Sequence, residues 1–315
     1  SVDMTTRTVL NTIALGGGVN AEGIAIAPLV TLRSAVRGDF DDDGKTDLSV
    51  FRPSEGNWYL NRSTAGFAAI HWGISTDTPV PGDYDGDGKT DTAVFRPTAT
   101  VGQPDFYVLN SNGFTVSGFE WGTTGDIPVV GDYDDDGKSD IAIWRPSDMR
   151  WYIRNSATNT ARVDQFGSPG DIPLVMDYDG DGRSNLAVFR PGENTWYLAR
   201  STGTPATNFE VLPFGTAGDK LVPADYDGDG KDDVAVYRPS TGTWYILRSS
   251  NRAVDYIPFG VSTDVPVPGD YDGDGKDDVA VYRDGTWYVQ RSTSGLLIAS
   301  FGVSTDTAIP AKYIP

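Results

Sequence analysis

Between its prolines, glycines and aspartates the chain runs in short stretches of alternating apolar and polar residues, and no apolar pattern recurs with the period of a helix. Residues 233–238 (DVAVYR) alternate and stop at Pro239, which predicts a strand with a turn behind it. Residues 243–248 (TWYILR) are rich in aromatic and β-branched side chains and predict a second strand. Residues 253–259 predict a third, ended by Gly260. Residues 265–268 (VPVP) predict the fourth and shortest, its prolines admissible only where ladder donors are not needed.

This succession occurs six times. Each copy opens on an acidic loop, and the loops start at Asp39, Asp83, Asp132, Asp177, Asp225 and Asp270, spaced 44 to 49 residues apart. The unit reads GDYDGDGKxDxAVYRP, then GxWYxxRS, then a variable stretch ending in FG or WG, then xxxDxPVP. Four antiparallel strands per unit and six units predict an all-β fold, a β-propeller whose blades are these units. A solenoid would need shorter, more uniform rungs, and isolated units of this length would bury too little core to stand alone. The chain therefore reads as one propeller domain, 1–315, made of an amino-terminal closing segment (1–37), six repeats (38–302) and a closing strand (303–315). Residues 7–15 and 24–32 could each be a strand. Residues 307–314 resemble the strand that leads into a loop, but Pro310 to Lys312 stand where Pro-Gly-Asp would. The ends are complementary fragments expected to meet, either as an interlocked strand in a ring of six blades or as a seventh, loop-less blade.

The loops carry the candidate chemistry. Carboxylates at loop positions 1, 3, 5 and 9, with the backbone carbonyl of position 7, make the all-oxygen set that Ca²⁺ prefers, and glycine at position 6 permits the sharp turn that gathers them. The ligand sets are Asp39, Asp41, Asp43, Lys45 and Asp47; Asp83, Asp85, Asp87, Lys89 and Asp91; and Asp132, Asp134, Asp136, Lys138 and Asp140. They continue with Asp177, Asp179, Asp181, Arg183 and Asn185; Asp225, Asp227, Asp229, Lys231 and Asp233; and Asp270, Asp272, Asp274, Lys276 and Asp278. The Lys and Arg members offer only their carbonyls, and Asn185 replaces the ninth-position acid of the fourth loop. An EF-hand also begins DxDxDG, but it needs Glu at position 12 and flanking helices; here position 12 of the fifth loop is Val236 and the flanks are strands. Mg²⁺ fits less well, since it sheds water reluctantly. A single Asp-Gly pair is usually a hairpin turn. Four spaced acids in successive copies exceed what a turn demands, and unneutralised they would repel. The expectation is up to six Ca²⁺ ions and no other cofactor.

These loops, together with the pairs Trp72-Gly73, Trp121-Gly122, Phe166-Gly167, Phe214-Gly215, Phe259-Gly260 and Phe301-Gly302, resemble the FG-GAP and VCBS-type repeats known from integrin α-subunit propellers and many secreted bacterial proteins. The resemblance covers about Gly38 to Gly302. It implies a calcium-binding propeller in which each loop joins two neighbouring strands of a blade. It implies no single activity, because the family includes adhesion receptors, lectins and accessory domains of enzymes.

Composition narrows the partners. Acidic residues number 44 against 25 basic ones, a formal charge of −19 that disfavours nucleic acid and anionic membranes. The loops hold 23 of those acids, and six Ca²⁺ would bring the charge to −7. No apolar run approaches a membrane span, so no insertion is expected. There is no cysteine, so a metal is the available staple. A start at Ser1 rather than Met fits a mature or trimmed form.

The remaining features read as structural. The pairs Trp58-Tyr59, Phe106-Tyr107, Trp151-Tyr152, Trp196-Tyr197, Trp244-Tyr245 and Trp287-Tyr288 could stack on sugars, but both faces of a propeller blade are covered by its neighbours, which favours core packing. Arg52, Arg96, Arg145, Arg190, Arg238 and Arg283 are expected to pair with Asp77, Asp126, Asp171, Asp219, Asp264 and Asp306 rather than grip an anion. Arg37-Gly38-Asp39 spells an integrin-binding tripeptide, yet Gly38 and Asp39 are dictated by the repeat. One histidine (His71) and acids committed to metal leave few general bases, so the chain reads as a non-enzyme. Specific function is expected in departures from the repeat, residues 98–104, 203–208 and the amino-terminal segment. The reading is a secreted or cell-surface, calcium-stabilised, monomeric module that binds carbohydrate or protein. The alternatives are a spacer of a larger extracellular protein and a polysaccharide-acting enzyme.

Overall fold

A computed structural model describes residues 37–98 and 100–309 in full, with the backbone of residues 2–3 and 8–9. By its internal contacts the chain divides into two units, Ser1–Leu32 and Arg33–Pro315. In the first, Val2–Asp3 and Thr8–Val9 pair as a short antiparallel hairpin. The closing role expected of residues 1–37 falls almost wholly outside the described residues.

The second unit is a six-bladed β-propeller of six four-stranded antiparallel sheets, with no helix among the described residues. Blade two runs Thr78–Pro79, Thr92–Phe95, Phe106–Leu109 and Val116–Phe119, and blade six runs Val265–Pro266, Val279–Arg283, Thr286–Arg291 and Gly295–Ser300. The expectation that a blade is one sequence unit needs correcting. Val265–Pro266 pairs with Val279–Arg283, the strand after its acidic loop, not with the three strands before it. Unit and blade are thus out of phase by one strand, so every unit lends its last strand to the next blade.

That offset settles the closure. The last such strand, Thr307–Ala308, has no following unit and pairs with Leu48–Arg52 of blade one, Thr307 opposite Phe51 and Ala308 opposite Val50. The Ile309 N–H donates to Ser49 O (2.8 Å) and the Ser49 hydroxyl donates to Ile309 O (3.0 Å). Of the two closures considered, the interlocked strand is the one formed. No seventh blade forms among the described residues, because the strand it would need completes blade one.

The core is built between blades. Each second strand is buried on both faces, as in Leu48–Arg52, whereas fourth strands alternate towards solvent. Trp58, Trp151, Trp196, Trp244, Trp287 and Phe106 are fully buried, as core packing requires. Each of those indoles donates to a carbonyl in the FG or WG turn of its own blade, as Trp244 does to Phe259 O (2.9 Å). The neighbouring tyrosines lie beneath the repeat arginines. Arg238 sits 4.1 Å from the Tyr245 ring centre while its Nε and Nη2 grip Asp219 at 2.8 and 2.9 Å. All six expected Arg–Asp pairs form this way.

Glycine is obligatory where two turns at the same end of a blade meet. At Gly242 φ is +61°, and an added Cβ would lie 2.2 Å from Gly260 O. Gly242→Ala is expected to cost roughly 3 kcal/mol, a left-handed penalty plus a backbone clash. Gly66→Ala, at φ +73° but facing open space, should cost about 1–2 kcal/mol. Equal losses in thermal melts of the two variants would show that the close approach does not matter.

Candidate metal centres

Loops two to six each join the first and second strands of a blade, as the resemblance implies, whereas loop one leads into Leu48–Arg52, whose first-strand partner is Thr307–Ala308. The first aspartate of each loop shapes it. Asp39 Oδ1 accepts the Asp42 N–H (2.6 Å) and Oδ2 accepts the Gly44 N–H (2.7 Å). The same two bonds recur in every loop, for example from Gly228 and Gly230 to Asp225. An ionised carboxylate accepting several backbone donors holds a tight turn closed. Position 5 is fixed by the N–H of position 7, as Lys45 donates to Asp43 Oδ1 (3.0 Å).

Position 9 lies deeper. Asp47 Oδ2 accepts the Phe40 N–H (2.9 Å) and Oδ1 accepts the Ser63 N–H (2.7 Å). Burial pushes Asp47, Asp233 and Asp278 up to about 7 and Asp91 and Asp140 up to about 6, against the lowering effect of these backbone donors. Burial also raises all six first-position acids. A cluster of acids held short of water is costly when charged and unpaired.

Oxygens of Asp39, Asp41 and Asp43 lie within 4.8 Å of one another, as do those of the matching triads in loops three, four and five; in loop two the triad is Asp83, Asp85 and Asp91. Whether these sets fit a cation is answered by position 3. Oδ1 of Asp41, Asp134, Asp227 and Asp272 is buried and has no donor. Buried polar atoms in native proteins are almost always partnered, and four equivalent orphans in an all-oxygen cradle fit a hard divalent ion.

Sequence reasoning missed an outer layer. The turn between third and fourth strands folds over each loop and holds it through a serine. Ser249 N–H reaches Asp233 Oδ1 (2.6 Å) while its hydroxyl reaches Asp229 (2.9 Å). Ser63, Ser111, Ser156 and Ser292 repeat both bonds, and Ser201 holds the fourth loop. The serine recurs at a fixed place in the unit, which was the available signal.

The loops also touch each other. The position-8 N–H of each donates to the position-1 carbonyl of the loop before it: Thr90 to Asp39, Ser139 to Asp83, Ser184 to Asp132, Asp232 to Asp177, Asp277 to Asp225 and, closing the circle, Thr46 to Asp270, all at 2.5–2.7 Å. The aspartate that organises a loop is therefore also a joint between blades. Arg37 of the RGD tripeptide approaches Asp232 at 3.8 Å. His71 lies exposed at a strand end, Nδ1 2.8 Å from Asn57 Oδ1. Among the variable stretches, residues 203–208 form a self-bonded turn, and Asp105 anchors the other by accepting the N–H groups of Thr98 and Trp121.

The fold is shared widely and the sequence is not. A lectin from Agrocybe aegerita, described as recognising non-reducing terminal N-acetylglucosamine, superposes with a TM-score of 0.50 at 15% identity, covering 84% of this chain and 90% of the lectin. A streptogramin B lyase superposes with a TM-score of 0.52 at 10% identity, covering 89% and 92%. At such identities the likeness is one of fold. No curated protein matches the sequence. The profile of the FG-GAP-like repeat matches residues 39–94, 177–236 and 225–281, just over half of the chain, and the chain belongs to the FG-GAP-like repeat family.

Proposed function

We propose that this chain is a calcium-stabilised propeller of the extracellular milieu that serves as a binding module for carbohydrate or protein. The observation that carries the calcium part is the set of four equivalent orphaned carboxylate oxygens in all-oxygen cradles. Modular sites of this kind bind with Kd on the order of 10⁻⁴ to 10⁻³ M, which suits calcium outside the cell rather than inside it. No helix among the described residues is long and apolar enough to cross a membrane.

A binding role rather than a catalytic one is supported by where the reactive groups are. Most acids are engaged in loops or Arg pairs, and His71 is exposed and bonded to Asn57. The lectin among the similar folds makes carbohydrate the first ligand class to try. On a glycan array in millimolar calcium, binding that disappears in EDTA is the expected result. No binding to any glycan or cell-surface protein would leave a spacer role, and depolymerisation of a polysaccharide would restore the enzymatic one.

A further inference from the structure

The fourth loop differs from the others in what faces its third-position carboxylate. In loops one, three, five and six the Oδ1 of that residue has no donor, and in loop two Asp85 Oδ1 takes the N–H of Asp87 at 3.2 Å. In loop four Asp179 has donors to both of its oxygens, from Asn185 and Ser201. Its Oδ1 accepts from Asn185 Nδ2 (3.2 Å) and from the Ser201 hydroxyl (3.2 Å), and its Oδ2 accepts the Ser201 N–H (3.1 Å).

The orientation of the Asn185 amide is imposed by its neighbours. Its Oδ1 accepts the N–H groups of Tyr178 (2.5 Å) and Asp179 (3.3 Å), the place that Asp47 Oδ2 takes towards Phe40 in loop one. A flipped amide would set an NH₂ against those N–H groups. Nδ2 is thereby turned to where the other loops present a carboxylate oxygen, and its second proton goes to the Ser201 hydroxyl at 2.7 Å. A group with no lone pair to offer stands where a ligand atom would.

The backbone reinforces this. In blade four the first strand runs as Ile172–Met176 straight into the loop, and Met176 pairs with Asn185 in the ladder. In blades two, three, five and six the same approach is only an isolated bridge, such as Gly269 with Asp278. The loop tyrosine departs too. Tyr84, Tyr133, Tyr226 and Tyr271 donate to the carbonyl four residues back, whereas Tyr178 bonds to Glu210 and receives Arg252 of the next blade.

The geometry points to a fourth loop closed by its own amide and holding no calcium, so that the ring carries five ions, with Asn185 as the internal substitute for the sixth. This rests on the calcium reading above. The test is an ion count on the full chain, stripped with chelator and titrated calorimetrically to saturation with CaCl₂, for wild type, Asn185→Asp and, as a loop-five control, Asp233→Asn. The expected counts are five, six and four. A wild-type count equal to that of Asn185→Asp overturns the inference while leaving calcium in place. No bound ion in any of the three overturns the calcium reading and the inference with it. Should Asn185→Asp fail to fold, the wild-type count decides alone, since six ions are incompatible with an amide-closed fourth loop.

Discussion

In EDTA the protein is expected to melt on the order of 10 °C below its calcium-loaded form. The reasoning starts at one loop. With Kd of about 10⁻⁴ M and 1 mM calcium, mass action contributes about 1.4 kcal/mol per site, so five sites give roughly 7 kcal/mol. At the weaker end of the range the sum is about 2 kcal/mol. The loops are joints as well as candidate sites, because the Asp39 and Asp225 carbonyls accept from the next loop, so loosening one turn loosens two blades. Magnesium at the same concentration should restore less, since it prefers to keep its water.

The pH dependence separates the two states. Without metal, Asp47, Asp233 and Asp278 are held up to about 7 by burial. A folded-state pKa raised above the unfolded one contributes stability below the unfolded value, and loses it as pH rises through the folded value. The chelated protein should therefore melt higher at pH 5 than at pH 8. With calcium the order reverses, because protons compete with the ion for the same oxygens. A melt unchanged by EDTA at both pH values would sink structural calcium.

Much of this was legible in the sequence because the repeat does the averaging. Six copies of an acidic loop made the site visible, and six matched arginines and aspartates made the pairs of the Arg238–Asp219 type predictable. What escaped was anything set by pairing direction. A strand of two residues such as Val265–Pro266 has no alternation to say which neighbour it joins. The phase of unit against blade was therefore open, and with it the choice of closure. Ser249 was in plain view as part of the repeat, but its role depends on a turn folding back over the loop. Asn185 stood in the sequence as the ninth-position ligand of the fourth loop; that its amide faces inward follows only from the Tyr178 N–H behind it.

Ending the chain at Gly302 is expected to destabilise the propeller by about 5 kcal/mol or more, a large share of the roughly 5–15 kcal/mol that holds a domain folded. In blades two to six the first strand runs on through its loop into the second; in blade one the first strand is Thr307–Ala308 and the second Leu48–Arg52, so the junction of blades six and one depends on their pairing. The truncation removes the ladder of Thr307 and Ala308 on Leu48–Arg52. It removes Ile309, buried against Phe51, Trp58 and Val94, and it strips Arg52 of Asp306, held at 2.7 and 2.9 Å. It also exposes the edge of Leu48–Arg52, a template for pairing with another chain. Ile309→Ala alone should cost about 2–4 kcal/mol, the lost side chain and its cavity. The difference between the two variants in urea melts measures what the strand contributes beyond its one large side chain. Concentration-dependent association of the truncated chain should accompany its lower midpoint. If it instead melts within a degree or two of the full protein and stays monomeric, the ring is not closed by this strand.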